Sequence, residues 1–317
     1  MSMPRVFWGF DHVPPDFGPC ALTIGNFDGV HIGHQELMRR TAEIARAGGR
    51  KAAVLTFQPH PAKVIAPARA PKMICDFTRR AELMGAAGIE HVLVLPFTEE
   101  LSRWTPEEFV VDLLVRKLGA KAIVMGDDFR FGHKQAGDRA LLERLGREHG
   151  FDVVTVAPVE IRRQRVSSSL LREMAAAGRI ARASRLLARP FELEGRVVSG
   201  HGIGSKQTVP TLNLAPDSEV LPRTGVYVTR TVELPEGRRW ESITNLGVRP
   251  TFNGDALTIE TYLLSPFEPP DPERIRVEFL WRIRDERKFA SPEELKAQIL
   301  RDARRAIQIH ARLRRFC

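Results

Sequence analysis

The sequence predicts an α/β plus all-β chain: an N-terminal unit built on a parallel sheet, followed by a small antiparallel β-barrel and a C-terminal helix. Three observations carry this. The chain has 317 residues, more than one core comfortably serves. Its first half alternates short, β-branched-rich apolar runs with helical patterns. Near Arg189-Pro190 this rhythm stops, and strand-like runs broken by turns take over.

The apolar runs Ala21–Ile24, Lys51–Phe57, His91–Leu95, Ala120–Met125 and Asp152–Val156 read as strands. Between them Glu36–Ala47, Thr78–Ala87, Thr105–Leu118 and Arg139–His149 have helical periodicity. Thr105-Pro-Glu-Glu108 is a strong helix start, with a capping threonine, a first-turn proline and a glutamate at the capping-box position. Strand and helix in alternation imply parallel pairing through right-handed crossovers. Ligands of such sheets bind beyond the carboxyl ends of the strands, where the loop after Ile24 and the GDDFRFG segment (Gly126–Gly132) lie. Two helical pieces, Ser168–Ala177 and Ile180–Leu187, lead to the change of pattern. The runs Glu194–Ser199, Gly225–Val232, Ser242–Leu246, Thr258–Leu263 and Val277–Ile283 then read as an antiparallel barrel. Ser291-Pro-Glu-Glu294 repeats the helix-start signature, and a helix runs to about His310. The expected domains are residues 1–187 and 188–317.

Composition narrows the class. Hydrophobic residues make up 43% and charged residues 27%, which is ordinary for a globular chain. No apolar run approaches the roughly 18 residues of a membrane span, and the first residues do not read as a signal peptide. Cys20, Cys75 and Cys317 form no CxxC pair, which suits a reducing cytoplasm and argues against a zinc ribbon. The net charge of +9 fits a handler of phosphates, nucleotides or nucleic acid. Part of the excess lies in Ser291–Cys317, with seven Lys/Arg against three Asp/Glu, a pattern that first of all describes a solvated helix face.

Five segments can carry chemistry. TIGNFDGVHIGHQEL (Thr23–Leu37) puts His31 and His34 at a strand-to-helix corner behind a loop holding Gly25 and Asn26. A helix start offers unpaired N–H groups and partial positive charge; histidines add donors, and Gly33 lets a phosphate approach the backbone. A metal is the other reading of two histidines, but His60 in FQPHP is the only tempting third ligand. RVSSSLLR (Arg165–Arg172) places serines before a helix between two arginines, both a cap and an anion cradle. GDDFRFG sets Phe129 and Phe131 around Arg130, as core residues or as walls for a flat heterocycle. The run with Gly200, Gly202, Gly204 and Lys206 can wrap phosphates, although it is no Walker A loop; Thr211 and Asn213 beyond it offer oxygens to a hard cation such as Mg²⁺. Finally, strand alternation puts Thr258, Glu260 and Tyr262 on one face, and Glu260 is either solvated or a general base toward an attacking alcohol.

HIGH and RVSSSLLR together resemble the paired signatures of the nucleotidylyltransferase superfamily. With TFQPHP, GDDFRFG, VPTLN, NLGVRPTF (Asn245–Phe252), the Glu260 strand and RIRDERKF (Arg282–Phe289), the ordered set resembles the bacterial bifunctional riboflavin kinase/FMN adenylyltransferase (FAD synthetase) family from about Thr23 to Ile309. The resemblance implies a HIGH-type, Rossmann-like domain that adenylylates FMN with ATP, and a flavokinase-like barrel that phosphorylates riboflavin. It implies that His31, His34, Gly25, Asn26, Ser168, Ser169 and Arg172 hold ATP in the first domain. His60, Asp128, Phe129, Phe131 and, in the second domain, Arg284 belong with the flavin. Thr211 and Asn213 bind Mg²⁺-ATP, with the loop of Gly200, Gly202, Gly204 and Lys206 on its phosphates, and Glu260 activates the ribityl 5′-hydroxyl. The chain departs from the family pattern at Ser199, His201, Ser205, Thr208 and Tyr262, all around the kinase phosphate site. Two alternatives follow: an adenylyltransferase with a weakened or inactive kinase domain, and a HIGH-fold nucleic-acid-binding protein using the basic C-terminal helix. The expected partners are the small molecules riboflavin, FMN, FAD and ATP, without nucleic acid or membrane, in a monomer or weak self-associate.

Overall fold

Strands Cys20–Ile24 (β2), Lys51–Gln58 (β3) and His91–Pro96 (β4) are buried along nearly their whole length, because helices cover both faces of their sheet. The computed structural model describes residues 3–198, 211–235, 237–251, 254–265, 268, 270–287 and 289–314. It divides into two compact units, Met1–Ser168 and Ser169–Cys317.

In the first unit the six-stranded parallel sheet runs β1-β4-β3-β2-β5-β6, adding Arg5–Trp8 (β1), Ala120–Gly126 (β5) and Asp152–Val156 (β6). β1 is an edge strand that the sequence pattern did not mark; its four residues are too few for a period to show. Helix Ile32–Ala47 (α1) starts four residues before the expected Glu36. Alternation splits the core in two. Leu22, Ile24, Leu55, Leu93 and Ile123 pack with Phe109, Val110, Leu113 and Leu114, and with Leu142 and Leu145. Ala21, Val54, Val92, Val94 and Ala122 pack with Met38 and Ala45 of α1, and with Met84 of helix Phe77–Ala86 (α2). The helix that starts at Pro106 (α3) keeps its predicted capping box: the Thr105 hydroxyl accepts the Glu108 N–H at 3.1 Å, and the Glu108 carboxylate accepts the Thr105 N–H at 2.8 Å. It continues with wider π winding over Phe109–Lys117. Arg139–His149 (α4) completes the covering layer.

The second unit holds Ser168–Ala176 (α5, whose first residue belongs to the first unit), Ile180–Leu187 (α6) and a closed barrel. Its strands are Phe191–Val198 (β7), Thr211–Pro216 (β8), Gly225–Glu233 (β9), Arg239–Thr251 (β10), Gly254–Leu263 (β11) and Arg274–Arg284 (β12), joined antiparallel in the order β8-β11-β10-β9-β12-β7. Val226, Val228 and Ile243 face outward, against Ala306 of helix Pro292–Leu313 (α7). The opposite parity points inward, where the fully buried hydroxyls of Thr229, Thr231, Ser242, Thr244 and Thr261 bond one another at 2.8–3.0 Å. β8 is the strand that sequence reading missed, since TLNLAP carries polar residues and a proline within six positions.

Candidate active sites

In the first unit β2 ends at Ile24 and the chain turns through Gly25–Val30 into α1. His31 is the N-cap residue, and its Nδ1 accepts the His34 N–H at 3.3 Å. That bond leaves the proton of a neutral His31 ring on Nε2. The two imidazoles stack at 3.6 Å between centroids, 21° from parallel, and the Phe27 ring meets His34 edge-on at 5.2 Å. A Cβ at position 33 would stand 3.2 Å from the His31 ring, so glycine there also makes room for the stack. Burial, His31 and Arg80 together hold the His34 ring well below the usual histidine range, so it is neutral at pH 7. Its buried Nδ1 has no hydrogen-bond partner among the described residues. The site is thus a stacked imidazole pair, its His34 ring neutral, at the positive end of α1.

Asn26, His60 and Ser168 are held at this corner. The side-chain amide of Asn26 pairs with His60 Nε2 at 3.1 Å, while His60 Nδ1 accepts the Ala62 N–H at 3.1 Å. The Ser168 hydroxyl donates to the Asp28 carbonyl at 2.9 Å, joining RVSSSLLR to the HIGH loop. Ser169 and Arg172 follow on α5, in the second unit. Asp128 pairs with Arg165 at 2.8 Å; with these side chains 68% and 46% exposed, the contact orients more than it stabilises. Phe129 and Phe131 stack at 5.6 Å. Phe131 is buried against Phe109 in the main core, and Phe129 is half-buried at its edge.

Two residues here carry roles that sequence reading did not assign. The buried Asp28 carboxylate accepts the Ile74 N–H at 3.0 and 3.1 Å and the Cys75 N–H at 3.4 Å, anchoring the loop. Arg80 donates to the Asn26 carbonyl at 2.8 Å. The available signal was an arginine on the apolar stripe of α2, together with Ala81 and Met84. Among the described residues no three His, Cys, Asp or Glu side chains come together as a metal site.

In the second unit strand register does the assembling. Asn213 lies directly opposite Glu260, Glu260 opposite Asn245, and Thr211 opposite Tyr262. Directly opposed residues share a face, and Thr261 points inward, so these five side chains line the outer face. The Tyr262 hydroxyl donates to the Glu260 carboxylate at 3.4 Å. Thr211, Asn213 and Glu260 form an oxygen-only donor set, which fits a hard cation such as Mg²⁺. Arg284 is engaged elsewhere: its Nε and Nη2 donate to Asp302 of α7 at 2.9 and 2.8 Å. Gly200, Gly202, Gly204 and Lys206, with the departures at Ser199, His201, Ser205 and Thr208, lie outside the described residues.

A parallel α/β unit with HIGH at a strand-to-helix corner, followed by a closed six-stranded barrel, defines a nucleotidyl-transfer domain joined to a flavokinase-type domain. The FAD synthetase family model matches residues 13–170, and the riboflavin kinase family model matches residues 187–310. The chain is 36% identical to the bifunctional riboflavin kinase/FMN adenylyltransferase of Escherichia coli (strain K12) over 283 residues, 89% of this chain and 90% of that one. It is 37% identical to the enzyme of the same name from Pseudomonas fluorescens over 295 residues, 93% and 94% of the two chains. Among solved structures, one titled as a macrolide-efflux protein from Streptococcus pneumoniae matches with TM-score 0.83 and 27% identity, over 95% of this chain and 97% of that one. The chain belongs to the bifunctional riboflavin kinase/FMN adenylyltransferase family.

Proposed function

We propose that the chain makes FAD from riboflavin in two ATP-dependent steps, one in each domain, with residues 1–187 serving the second step and 188–317 the first. The observation that carries this is that each polar constellation falls within its own matched domain: the His31–His34 corner in the FAD synthetase match and the Asn213–Glu260 face in the riboflavin kinase match.

In the barrel, Glu260 takes the proton of the ribityl 5′-hydroxyl as its oxygen attacks the γ-phosphorus of ATP. The new P–O bond forms as the bond to the β-phosphate oxygen breaks, giving FMN and ADP. Tyr262 orients the carboxylate through its hydroxyl. Thr211 and Asn213 would hold Mg²⁺, which neutralises phosphate charge when bound, and Gly200, Gly202, Gly204 and Lys206 serve the phosphates. Arg284, tied to Asp302, sets the flavin-side segment rather than reaching into solvent. In the first domain the FMN phosphate attacks the α-phosphorus of a second ATP, and pyrophosphate leaves. His31 and His34 donate to phosphate oxygens with Gly25, Asn26, Ser168, Ser169 and Arg172, so this domain works by alignment and electrostatics, with no covalent intermediate. His60, Asp128, Phe129 and Phe131 take the flavin side.

The cytoplasm suits this chemistry, and no helix among the described residues is long and apolar enough to cross a membrane. The purified protein, given riboflavin, Mg²⁺ and ATP, is expected to yield FMN and then FAD; given FMN and ATP, it yields FAD directly. FAD from FMN but none from riboflavin would leave only the adenylyltransferase. A salt-sensitive RNA shift without flavin turnover would replace both steps with nucleic-acid binding.

A further inference from the structure

Beneath the adenylyl-transfer corner lies a buried cation that no carboxylate contacts among the described residues. Arg80 is 1% exposed. Its Nη1 donates to the Asn26 carbonyl at 2.8 Å, which also accepts the Thr56 hydroxyl at 3.4 Å, and its Nη2 donates to Gln58 Oε1 at 3.1 Å. Its Nε is buried without a hydrogen-bond partner among the described residues, and the guanidinium carbon lies 5.3 Å from the centre of the Phe77 ring. Both of its polar partners are neutral oxygens. Asp28 and Asp76 act on it through their field, while their carboxylates accept backbone N–H groups: Asp28 those of Ile74 and Cys75, Asp76 that of Arg79. Burying a guanidinium without a contact carboxylate is costly. A tie to the Asn26 carbonyl alone needs no charge, since any neutral donor would make it. The start of α1 and its histidines, the next elements along, add positive potential or donors rather than compensation. A buried charge without a contact carboxylate still favours an anion nearby, and a fixed charge in a water-poor interior acts at longer range than one at the surface.

We infer that Arg80 is a positioning residue of the adenylyl-transfer site: it pins the Asn26 backbone at the mouth of the histidine loop and supplies buried positive charge that favours the ATP triphosphate. The inference rests on the proposed function of this corner. Arg80 acts through Asn26 and through its field, without touching the nucleotide. Its effect on His34 follows from the same charge. The groups facing His34 are His31, Phe27 and Arg80; those facing Arg80 in turn are Asp28, Asp76 and the Cys75 thiol.

The test compares Arg80→Met and Arg80→Lys in the full-length protein, with both activities assayed on the same preparations. For Arg80→Met, FMN-to-FAD conversion is expected to fall roughly 10- to 100-fold, the range for groups that orient a site's direct ligands. The acid limb of its pH profile moves to higher pH, because His34 protonates more readily once the cation is gone. Arg80→Lys keeps the charge but loses the fork; it returns the acid limb to its original place while recovering only part of the rate. Riboflavin-to-FMN conversion stays unchanged in both variants. The proposal is overturned if Arg80→Met keeps its FAD rate within about 2-fold with an unmoved acid limb. It is also overturned if the two variants lose activity equally, in proportion to folded protein, with that limb unmoved. Should Arg80→Met fail to fold, Arg80→Lys decides alone: a reduced rate with the original acid limb supports the proposal, and a full rate overturns it. If the unaltered chain makes no FAD from FMN, the functional reading of the corner falls instead.

Discussion

His31 and His34 lie face to face at 3.6 Å, so a proton on one ring opposes a proton on the other, and burial disfavours charge on His34 further. Replacing both with alanine is expected to lower FMN-to-FAD conversion by at least about 100-fold, as loss of oxyanion-type donors does, while riboflavin phosphorylation continues. Glu260→Gln is expected to do the reverse, because an amide cannot take the hydroxyl proton; product separation by chromatography reads both outcomes. Buried histidines also make stability depend on pH. His34, and His310 on α7 beside Glu241, are held below their ordinary value of 6.5, in each case chiefly by burial. Below pH 6.5 the unfolded chain therefore binds protons that the folded chain does not. Stability present above that pH is lost as pH falls toward the folded-state values. Urea titrations at pH 7 and pH 5 should show the loss, and His310→Gln should make it smaller.

At the scale of the element, helix starts and one helix anchor bear weight. Thr105→Ala removes the hydroxyl half of the capping box on α3 and is expected to cost about 1 kcal/mol, read as a lowered unfolding midpoint of the first unit. The anchor of α7 is larger. Asp302 is 7% exposed and accepts from Arg284, from the end of β12, as well as from Gln298 at 2.8 Å. Asp302→Ala leaves a largely buried guanidinium without its partner, at a cost of roughly 2–3 kcal/mol. Since α7 packs beside Ile243, which is paired with Tyr262, this loosening is expected to reach the Glu260 face. Riboflavin phosphorylation should then decline with temperature earlier in this variant than FMN adenylylation does.

At the scale of the whole molecule, the two activities are expected to fail independently, since the His31–His34 corner and the Asn213–Glu260 face are each held by hydrogen bonds and strand pairings within one unit. A mixture of the Glu260→Gln chain and the doubly substituted His31/His34 chain should therefore turn riboflavin into FAD, because FMN released by one can be used by the other; failure of the mixture would show that FMN must pass within one chain. Much of this organisation was legible in the sequence. Buried parallel strands reveal themselves as unbroken apolar runs, and capping residues such as Thr105 mark a helix start locally. The histidine corner was legible because HIGH is contiguous, and the Glu260 face because alternation is a local property of a strand. Other features depend on contacts distant in sequence. Register alone sets Asn213 opposite Glu260 and Glu260 opposite Asn245. Arg80 looks like any helical arginine until Asn26 and Gln58 close over it, and the ion pair that ties Arg284 to Asp302 on α7 shows only in the fold. The sequence by itself determined the order of elements, the two-part plan and the reactive motifs, because local periodicity and short-range spacing encode them. Tertiary structure decided which charges are buried, which side chains are already engaged and which strands pair, because burial and long-range pairing exist only after the chain has folded.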